Sequence, residues 1–362
     1  MAVSPTTAPG IAPVFTAHTE KAAALAAVSV VIVNFNAGEV LADCLVSVLS
    51  RARQVIVVDN ASEPATFEPV IGRFSGHPNL TVIRSPRNGG FSYGCNLGIH
   101  ASTEPAVLLL NPDCVVAPDS LAAMCAVLHA EDSVGMVGGY ITCVDGSEQG
   151  GGRRAVPTPW RSFVRGFGLS RFARRFPRTA RRFPRLFNDF YLHLQPKPTE
   201  PIPVEAISGA CILMKRQAMD DVGLLDEGYF LHCEDLDICM RFRQRGWSIV
   251  FVPHAPVLHH KGVCSKNRTL FVEWHKHKGM MRFYHKHFRH QYPPVLMAIV
   301  AAGVWSRFGA IAARHLARKA GQHAAALPAL LARKRLQSRA GAHAPVGAAG
   351  RRALVATRPV AS

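Results

Sequence analysis

The chain carries a trail of acids, each placed where an apolar run stops: Asp59, Asp113 and the group Glu234-Asp235-Leu236-Asp237. Val55-Ile56-Val57-Val58 runs into Asp59-Asn60-Ala61-Ser62, and Val107-Leu108-Leu109-Leu110 runs into Asn111-Pro112-Asp113. Hard carboxylate oxygens suit Mg²⁺ or Mn²⁺, cations that neutralise a diphosphate. Asp113, with the polar Asn111 two positions earlier, is the candidate for that role; its alternative is to cap the helix that follows. Asp59 and Asn60 can accept from and donate to the edge of a nucleobase, or form a turn, as Asp, Asn and Ser do through local hydrogen bonds. Three acids in four residues after Tyr229-Phe230-Leu231-His232 exceed what a helix start needs. Clustered carboxylates repel, which raises a pKa and suits a general base.

Two further groups carry possible chemistry. His259-His260 follows Val257-Leu258, and imidazole is a common metal ligand, so either ring is a candidate. Arg87-Asn88-Gly89-Gly90-Phe91, with Asn96 beyond it, combines glycines that admit a ligand close to backbone with an arginine able to reach a phosphate. Neither G-x-G-x-x-G nor G-x-x-x-x-G-K-[ST] occurs, which removes dinucleotide dehydrogenases and P-loop NTPases from consideration.

The elements that must hold these groups alternate. Strands are expected at 28–33, 55–58, 80–83 and 107–110, with helices at 41–50, 66–74, through 96–99, and at 120–129. Short strands are expected at 134–137 and 140–144, a strand-like stretch at 204–214, a helix at 236–245 and a last strand at 247–252. Apolar runs alternating with helices indicate a parallel sheet buried on both faces, with ligands outside the carboxyl ends of its strands.

Composition bounds the partners. The 362 residues carry a net charge of +18, which calls for an acidic partner: anionic lipid, nucleic acid or a phosphorylated substrate. From Arg153 to Arg185 there are eleven arginines and no acid, interleaved with Trp160, Phe163, Phe167, Phe172, Phe176 and Phe183. Such a segment suits an anionic membrane surface or a solvated loop. The nine cysteines form no C-x-x-C pair, so neither a zinc ribbon nor a disulfide framework is indicated. No apolar run is expected to span a bilayer; the longest, 293–305, falls short of ~20 residues and reads as an interfacial or packed helix. Residues 1–27 read as a flexible leader, 28–268 as the folded domain with a basic aromatic insertion at 153–190, 269–340 as a membrane-associating helical region and 341–362 as a disordered basic tail.

In serial order, V-V-I-V-N-F-N (30–36), V-V-D-N-A-S (57–62), R-N-G-G-F (87–91), L-L-N-P-D (109–113), S-G-A-C-I-L-M (208–214), G-L-L-D-E-G-Y-F (223–230), E-D-L-D (234–237), R-G-W (245–247) and the histidine after the last strand resemble a family 2 glycosyltransferase. N-P-D in place of D-x-D is similar to the rhamnosyltransferase-like branch. The resemblance implies the GT-A fold: α/β, a doubly wound, mostly parallel sheet with C-terminal helices. It also implies inversion at the anomeric carbon by direct displacement, with dTDP-rhamnose as donor and one sugar added to a polyprenyl-diphosphate-linked or polysaccharide acceptor. The enzyme would then sit at the inner face of a bacterial membrane. It places Asn34, Asp59 and Asn60 at the nucleotide, with Arg87, Asn88, Gly89 and Asn96 beside them. Asp113, supported by Asn111, would hold Mg²⁺ or Mn²⁺ under the diphosphate, with His259 completing the shell. Asp235, with Glu234, would be the base, and Gly209, Asp237 and Trp247 would line the acceptor side.

Two other readings remain. A nucleotidyltransferase would need a G-x-G-T-R-type loop, and Asn34-Phe35-Asn36-Ala37-Gly38 supplies none. A basic nucleic-acid-binding protein would explain the charge, but its arginines cluster away from the acids. Nucleic acid is therefore not expected as a partner, and salt-sensitive RNA binding without nucleotide-sugar binding would reverse that.

Overall fold

A computed structural model describes residues 26–166, 195–260 and 269–342. The expected leader up to residue 25, the middle of the basic segment and the tail from 343 lie outside the described residues.

The amino-terminal half alternates as its apolar runs require. β1 (Ala26–Asn34), α1 (Val40–Leu49), β2 (Ala52–Asp59), α2 (Pro64–Ile71), β3 (Leu80–Arg84), α3 (Phe91–Ala101) and β4 (Ala106–Leu110) build the parallel order β3-β2-β1-β4. The helix expected at 66–74 divides: α2 stops at Ile71 and a single tighter turn, Gly72–Phe74, completes it. β4 is buried along its whole length, as a strand covered on both faces must be. β5 (Cys114–Val116), α4 (Ser120–Ala130) and β6 (Val134–Thr142) follow, and β6 takes in both short strands expected there.

The second half departs from strict alternation. β7 (Arg153–Arg154) and α5 (Pro159–Gly166) precede the undescribed stretch; β8 (Ile202–Pro203), β9 (Ala206–Ile207), β10 (Cys211–Lys215), α6 (Arg216–Val222), α7 (Glu234–Gln244) and β11 (Ser248–His259) follow it. The expected strand 204–214 is broken at Ser208-Gly209-Ala210, and its halves go to different sheets. β9 pairs with β7 alone, while β10 runs antiparallel between β4 and β6. β11 runs seven residues past its expected end at Val252. Proline lacks an N–H for the ladder, and the pairing with β6 shifts register between Val252 and Pro256, so the strand continues through the irregularity to His259. The sheet order is β3-β2-β1-β4-β10-β6-β11-β5, with β8 on β11.

Two apolar clusters cover the sheet. One joins its face to α1, α2 and α4; the other joins the opposite face to α3, α6 and α7. α8 (Thr269–Phe288) packs into the second cluster, burying Phe283, Tyr284 and Phe288. The expectation of an α/β sheet wound on both faces holds; the sheet is mixed, with four parallel pairings (β1–β2, β1–β4, β2–β3 and β6–β11) and four antiparallel ones.

The chain divides into two compact units, Met1–Trp305 and Ser306–Ser362. α9 (Pro294–Ala342) corrects one expectation. Its first 29 residues, Pro294–Gln322, are long and apolar enough to cross a membrane by length and composition. The run does not end at Trp305, because the arginines beyond it are spaced among Ala, Ile, Phe and Leu, and Gly309 alone does not stop a helix.

Candidate functional site

β1, β2, β4, β6 and β11 all point the same way, so their carboxyl ends share one edge of the sheet. Asn34 ends β1 and Asp59 ends β2 in register with it. The Asn34 side-chain amide donates to Asp59 Oδ1 at 3.2 Å and to Ser62 Oγ at 2.9 Å, and both Asn34 and Asp59 are buried. Asn34 Oδ1 is buried with no hydrogen-bond partner among the described residues. Asn60 donates to Asn88 Oδ1 and to the Gly90 carbonyl, both at 3.0 Å, and accepts from the Gly89 amide at 3.1 Å. The loop before α3 is thus tied to the end of β2. Gly90 has φ +93°, and a Cβ there would lie 2.5 Å from the Phe230 carbonyl oxygen. Arg87 is exposed, its guanidinium 5.6 Å from the centre of the Tyr93 ring.

Asn96 departs from its expected place beside the nucleotide. Its amide donates to the Leu225 carbonyl and Glu227 Oε1, both at 2.9 Å, and its Oδ1 accepts from the Leu225 amide. Its hydrogen-bonding capacity is spent fastening α3 to the turn before the acid cluster.

Asn111-Pro112-Asp113 makes the turn from β4 to β5. The Asn111 amide donates to the Ala210 carbonyl at 2.9 Å, and the Asn111 carbonyl accepts from the Cys114 amide at 3.1 Å. β5 is an edge strand of three residues, paired antiparallel with the end of β11 so that Cys114 faces His259. That pairing brings His259 Nε2 within 3.1 Å of Asp113 Oδ1, while the His260 amide donates to the Asp113 carbonyl at 2.9 Å. Asp113, Cys114 and His259 offer ligand atoms within 4.8 Å of one another. His259 Nδ1 is buried without a partner. A carboxylate beside an imidazole, both nearly buried, suits a divalent cation whose other ligands are diphosphate oxygens. Cys114 is a poor ligand for it: burial holds the thiol well above its ordinary range, and a hard cation prefers oxygen.

The acid cluster opens α7. His232 and Cys233 sit at φ 67° and 70°, the left-handed region that costs residues with a Cβ about 1–2 kcal/mol each. Packing holds them there: a Cβ on Gly279 of α8 would lie 2.8 Å from the His232 carbonyl oxygen. Asp235 Oδ2 accepts from the Gly209 amide at 3.1 Å and from Arg154 Nη2; Oδ1 accepts from the Leu236 amide at 2.8 Å. Glu234 is buried with Oε2 unpartnered, and burial, with the Asp235 carboxylate beside it, pushes its carboxyl up to about 8. The two neighbours differ in access: Glu234 is buried, and Asp235 is partly exposed.

Asp237 corrects the expectation that it shapes the acceptor side. It is fully buried, paired with Arg241 Nε, Lys286 Nζ and His287 Nε2, each at 2.8 Å, and accepts from the Tyr229 hydroxyl at 3.3 Å. It locks α7 to α8. Despite its burial, the His287, Lys286 and Arg241 contacts hold its carboxyl well below the usual range. Asp237→Asn leaves the Arg241 and Lys286 cations facing a neutral amide, and breaking such a group costs about 3–5 kcal/mol. In urea denaturation the loss is expected at pH 7 and to shrink toward pH 3. A depressed carboxyl stabilises the fold above its unfolded pKa of about 4, and that stability fades as pH falls toward the folded value. Trp247 is also corrected. It precedes β11, at the opposite edge of the sheet, and its indole N–H donates to Asp221 Oδ2 at 2.9 Å. Gly209 lies against Asp235, to which its amide donates.

Arg154 is the functional side chain that sequence reasoning passed over, because it opens a run of arginines that reads as one basic surface. Three of those arginines face inward. Arg153 is 2% exposed and bonds both oxygens of Glu148, Arg161 bonds both oxygens of Glu205, and Arg154 holds Asp235. A usable signal was the Gly150-Gly151-Gly152 turn before the pair, which ends an ordered strand region rather than opening a linker.

Residues 26–277 match the family model described as glycosyltransferase-like family 2. The chain is 31% identical over 222 residues to the N-acetylglucosaminyl-diphospho-decaprenol L-rhamnosyltransferase of Mycobacterium tuberculosis, covering 58% of this chain and 67% of that protein. It is 24% identical over 225 residues to the low-salt glycan biosynthesis hexosyltransferase Agl10 of Haloferax volcanii, covering 61% of this chain and 63% of that one. Among solved structures, a mannosyltransferase from Pyrobaculum calidifontis in complex with GDP-Man and Mn²⁺ is 16% identical, with a TM-score of 0.49 over 83% of this chain and 80% of that one. With a family match over most of its length, the chain belongs to glycosyltransferase family 2 and is a glycosyltransferase.

Proposed function

We propose that this enzyme transfers one sugar, L-rhamnose from dTDP-rhamnose, with inversion, to a polyprenyl-diphosphate-linked or polysaccharide acceptor. The observation that carries the reading is the shared sheet edge: the Asn34–Asp59 pair and the Asp113–His259 pair stand at strand ends on it, and Asp235 is tied to Gly209, just before β10, between them. Asn34 and Asp59 orient the base and ribose, and the Asn88–Gly90 loop closes over them. Asp113 and His259 would hold Mg²⁺ or Mn²⁺. When bound, the cation stabilises charge on the departing nucleoside diphosphate. Asp235 takes the proton of the acceptor hydroxyl, and Glu234, whose burial favours its neutral form, stands beside it. The Mycobacterium relative, named for an acceptor of N-acetylglucosaminyl-diphospho-decaprenol, supports the donor sugar and the lipid-linked acceptor.

An anionic membrane surface at the cytoplasmic face accounts for the C-terminal helices. Phe271, Trp274, Val295, Ile299 and Trp305 are all exposed, and the Trp274 and Trp305 rings lie 5.3 Å apart. Tryptophan favours the boundary between lipid and water, and the surplus of cations favours anionic lipid.

The test is a donor screen. Full-length protein with Mg²⁺ or Mn²⁺ meets a panel of nucleotide sugars, with and without a short polyprenyl-diphosphate GlcNAc, reading nucleoside diphosphate release and product mass. Release from dTDP-rhamnose that rises with the acceptor is the expected result. Release from UDP- or GDP-sugars only would overturn the donor. In a parallel arm the protein is spun with phosphatidylglycerol vesicles; failure to co-sediment at low salt would overturn the membrane surface.

A further inference from the structure

Asp235 is held by a device that no part of the reaction scheme above requires. Its two oxygens are not equivalent. Oδ2 accepts from both the Gly209 amide and Arg154 Nη2, which fills its two lone pairs. Among the described residues, Oδ1 accepts from the amide of the next residue, Leu236, which leaves it one open lone pair. The side chain is 15% exposed, so the carboxylate is within reach of solvent.

The strand that brings Arg154 there is built for the purpose. β7 is two residues long, and its partner β9 is also two residues long, with Arg154 opposite Ala206. Side chains alternate along a strand, so neighbours face opposite ways. Arg153 faces inward and anchors the strand. It bonds Glu148 through two nitrogens, bonds the carbonyls of Gln195 and Pro196, and lies 5.4 Å from the centre of the Phe251 ring. Arg154 faces the other way, toward α7. Among the described residues, Asp235 is the side chain that accepts a hydrogen bond from its guanidinium. At the end of the same ladder the Ser208 amide donates to the Gly152 carbonyl at 3.1 Å, which fixes Gly209 beside Asp235. A strand pair this small buries too little to stabilise itself, and what it delivers is one arginine and one amide to one oxygen.

We propose that Arg154 is the positioning residue of this enzyme: by occupying Asp235 Oδ2 it fixes the carboxylate rotamer and makes Oδ1 the atom that receives the acceptor's proton. In the step itself the acceptor oxygen bonds the anomeric carbon and its proton passes to Oδ1. The bond from that carbon to the diphosphate oxygen breaks, and the electron pair leaves with the diphosphate. Arg154 touches neither the sugar nor the transferred proton. The proposal rests on the reading of Asp235 as base.

The test compares Arg154→Met and Arg154→Lys in full-length enzyme, with donor-binding stoichiometry from calorimetry used to count folded sites. Arg154→Met is expected to lower kcat by about 10²-fold, the scale on which a misplaced catalytic group is felt, with KM for donor and acceptor within about twofold of the parent. Arg154→Lys restores a single donor to Oδ2 and is expected to recover about tenfold of the loss. In an Asp235→Asn background, Arg154→Met should change the residual rate by less than about twofold, because groups that act as a unit are not additive. An unchanged kcat in Arg154→Met would overturn the proposal. So would a loss confined to donor KM, or a full 10²-fold loss in the Asp235→Asn background. If Arg154→Met binds no donor and does not fold, Arg154→Lys carries the test, and a kcat equal to the parent's is then the overturning result. Full activity in Asp235→Asn alone would instead sink the base reading and leave the role of Arg154 to be read from its own kcat.

Discussion

Asp235→Asn is expected to lower transfer by about 10²–10⁴-fold while donor binding stays near the parent value. The amide keeps the shape of the carboxylate but has a single oxygen, which can take either the Gly209 and Arg154 donors or the Leu236 amide, not both. What it loses is the ability to take a proton as the acceptor oxygen bonds the sugar. In the proposed reading donor affinity is set elsewhere, by the Asn34–Asp59 pair and the loop tied to Asn60. Calorimetry with dTDP-rhamnose and single-turnover transfer, run on the same preparation, separate the two. A drop in binding equal to the drop in rate would mean that Asp235 holds the donor and is not the base. Glu234→Gln gives the contrast. Since burial favours the neutral form of Glu234, its amide variant is expected to stay within about tenfold of the parent.

Asp113→Ala, or chelation of the parent enzyme, is expected to reduce turnover by about three orders of magnitude, equivalent to ~4 kcal/mol of transition-state stabilisation. Asp113 and His259 are nearly buried and face each other at 3.1 Å, so removal of the carboxylate leaves an imidazole as the surviving protein ligand. Mn²⁺ binding followed by electron paramagnetic resonance reads the site without reference to turnover. The parent should show bound Mn²⁺ that the variant lacks, and His259→Ala should weaken it too. Parent-level binding in both variants would place the cation elsewhere.

What could be read from the chain, and what could not, follows from how far apart the interacting residues lie. β1, β2 and β4 were legible because each is an uninterrupted apolar run, and the acids at their ends needed no partner to be noticed. The end of β11 was hidden by Pro253 and Pro256, which mark a strand stop unless a neighbour absorbs the register shift, as β6 does. Asp237 and Asn96 look like ligands in sequence because each stands in a polar group. Only the fold shows that Lys286 and His287, about fifty residues away, claim the first, and that the 225–227 turn claims the second. Arg154 was hidden for the opposite reason: its partner lies 81 residues on, while ten other arginines nearby supply a simpler account of it.

Ser208-Gly209-Ala210 breaks an expected strand, and its last two residues reach two separate groups. The Ala210 carbonyl takes the amide of Asn111, which starts the turn carrying Asp113; the Gly209 amide is given to Asp235. Two consecutive residues thereby tie together the carboxylate proposed to hold the cation and the carboxylate proposed as base. A backbone shift at either residue would be felt at both carboxylates at once, so a change here is expected to disturb the whole reaction rather than one of its steps.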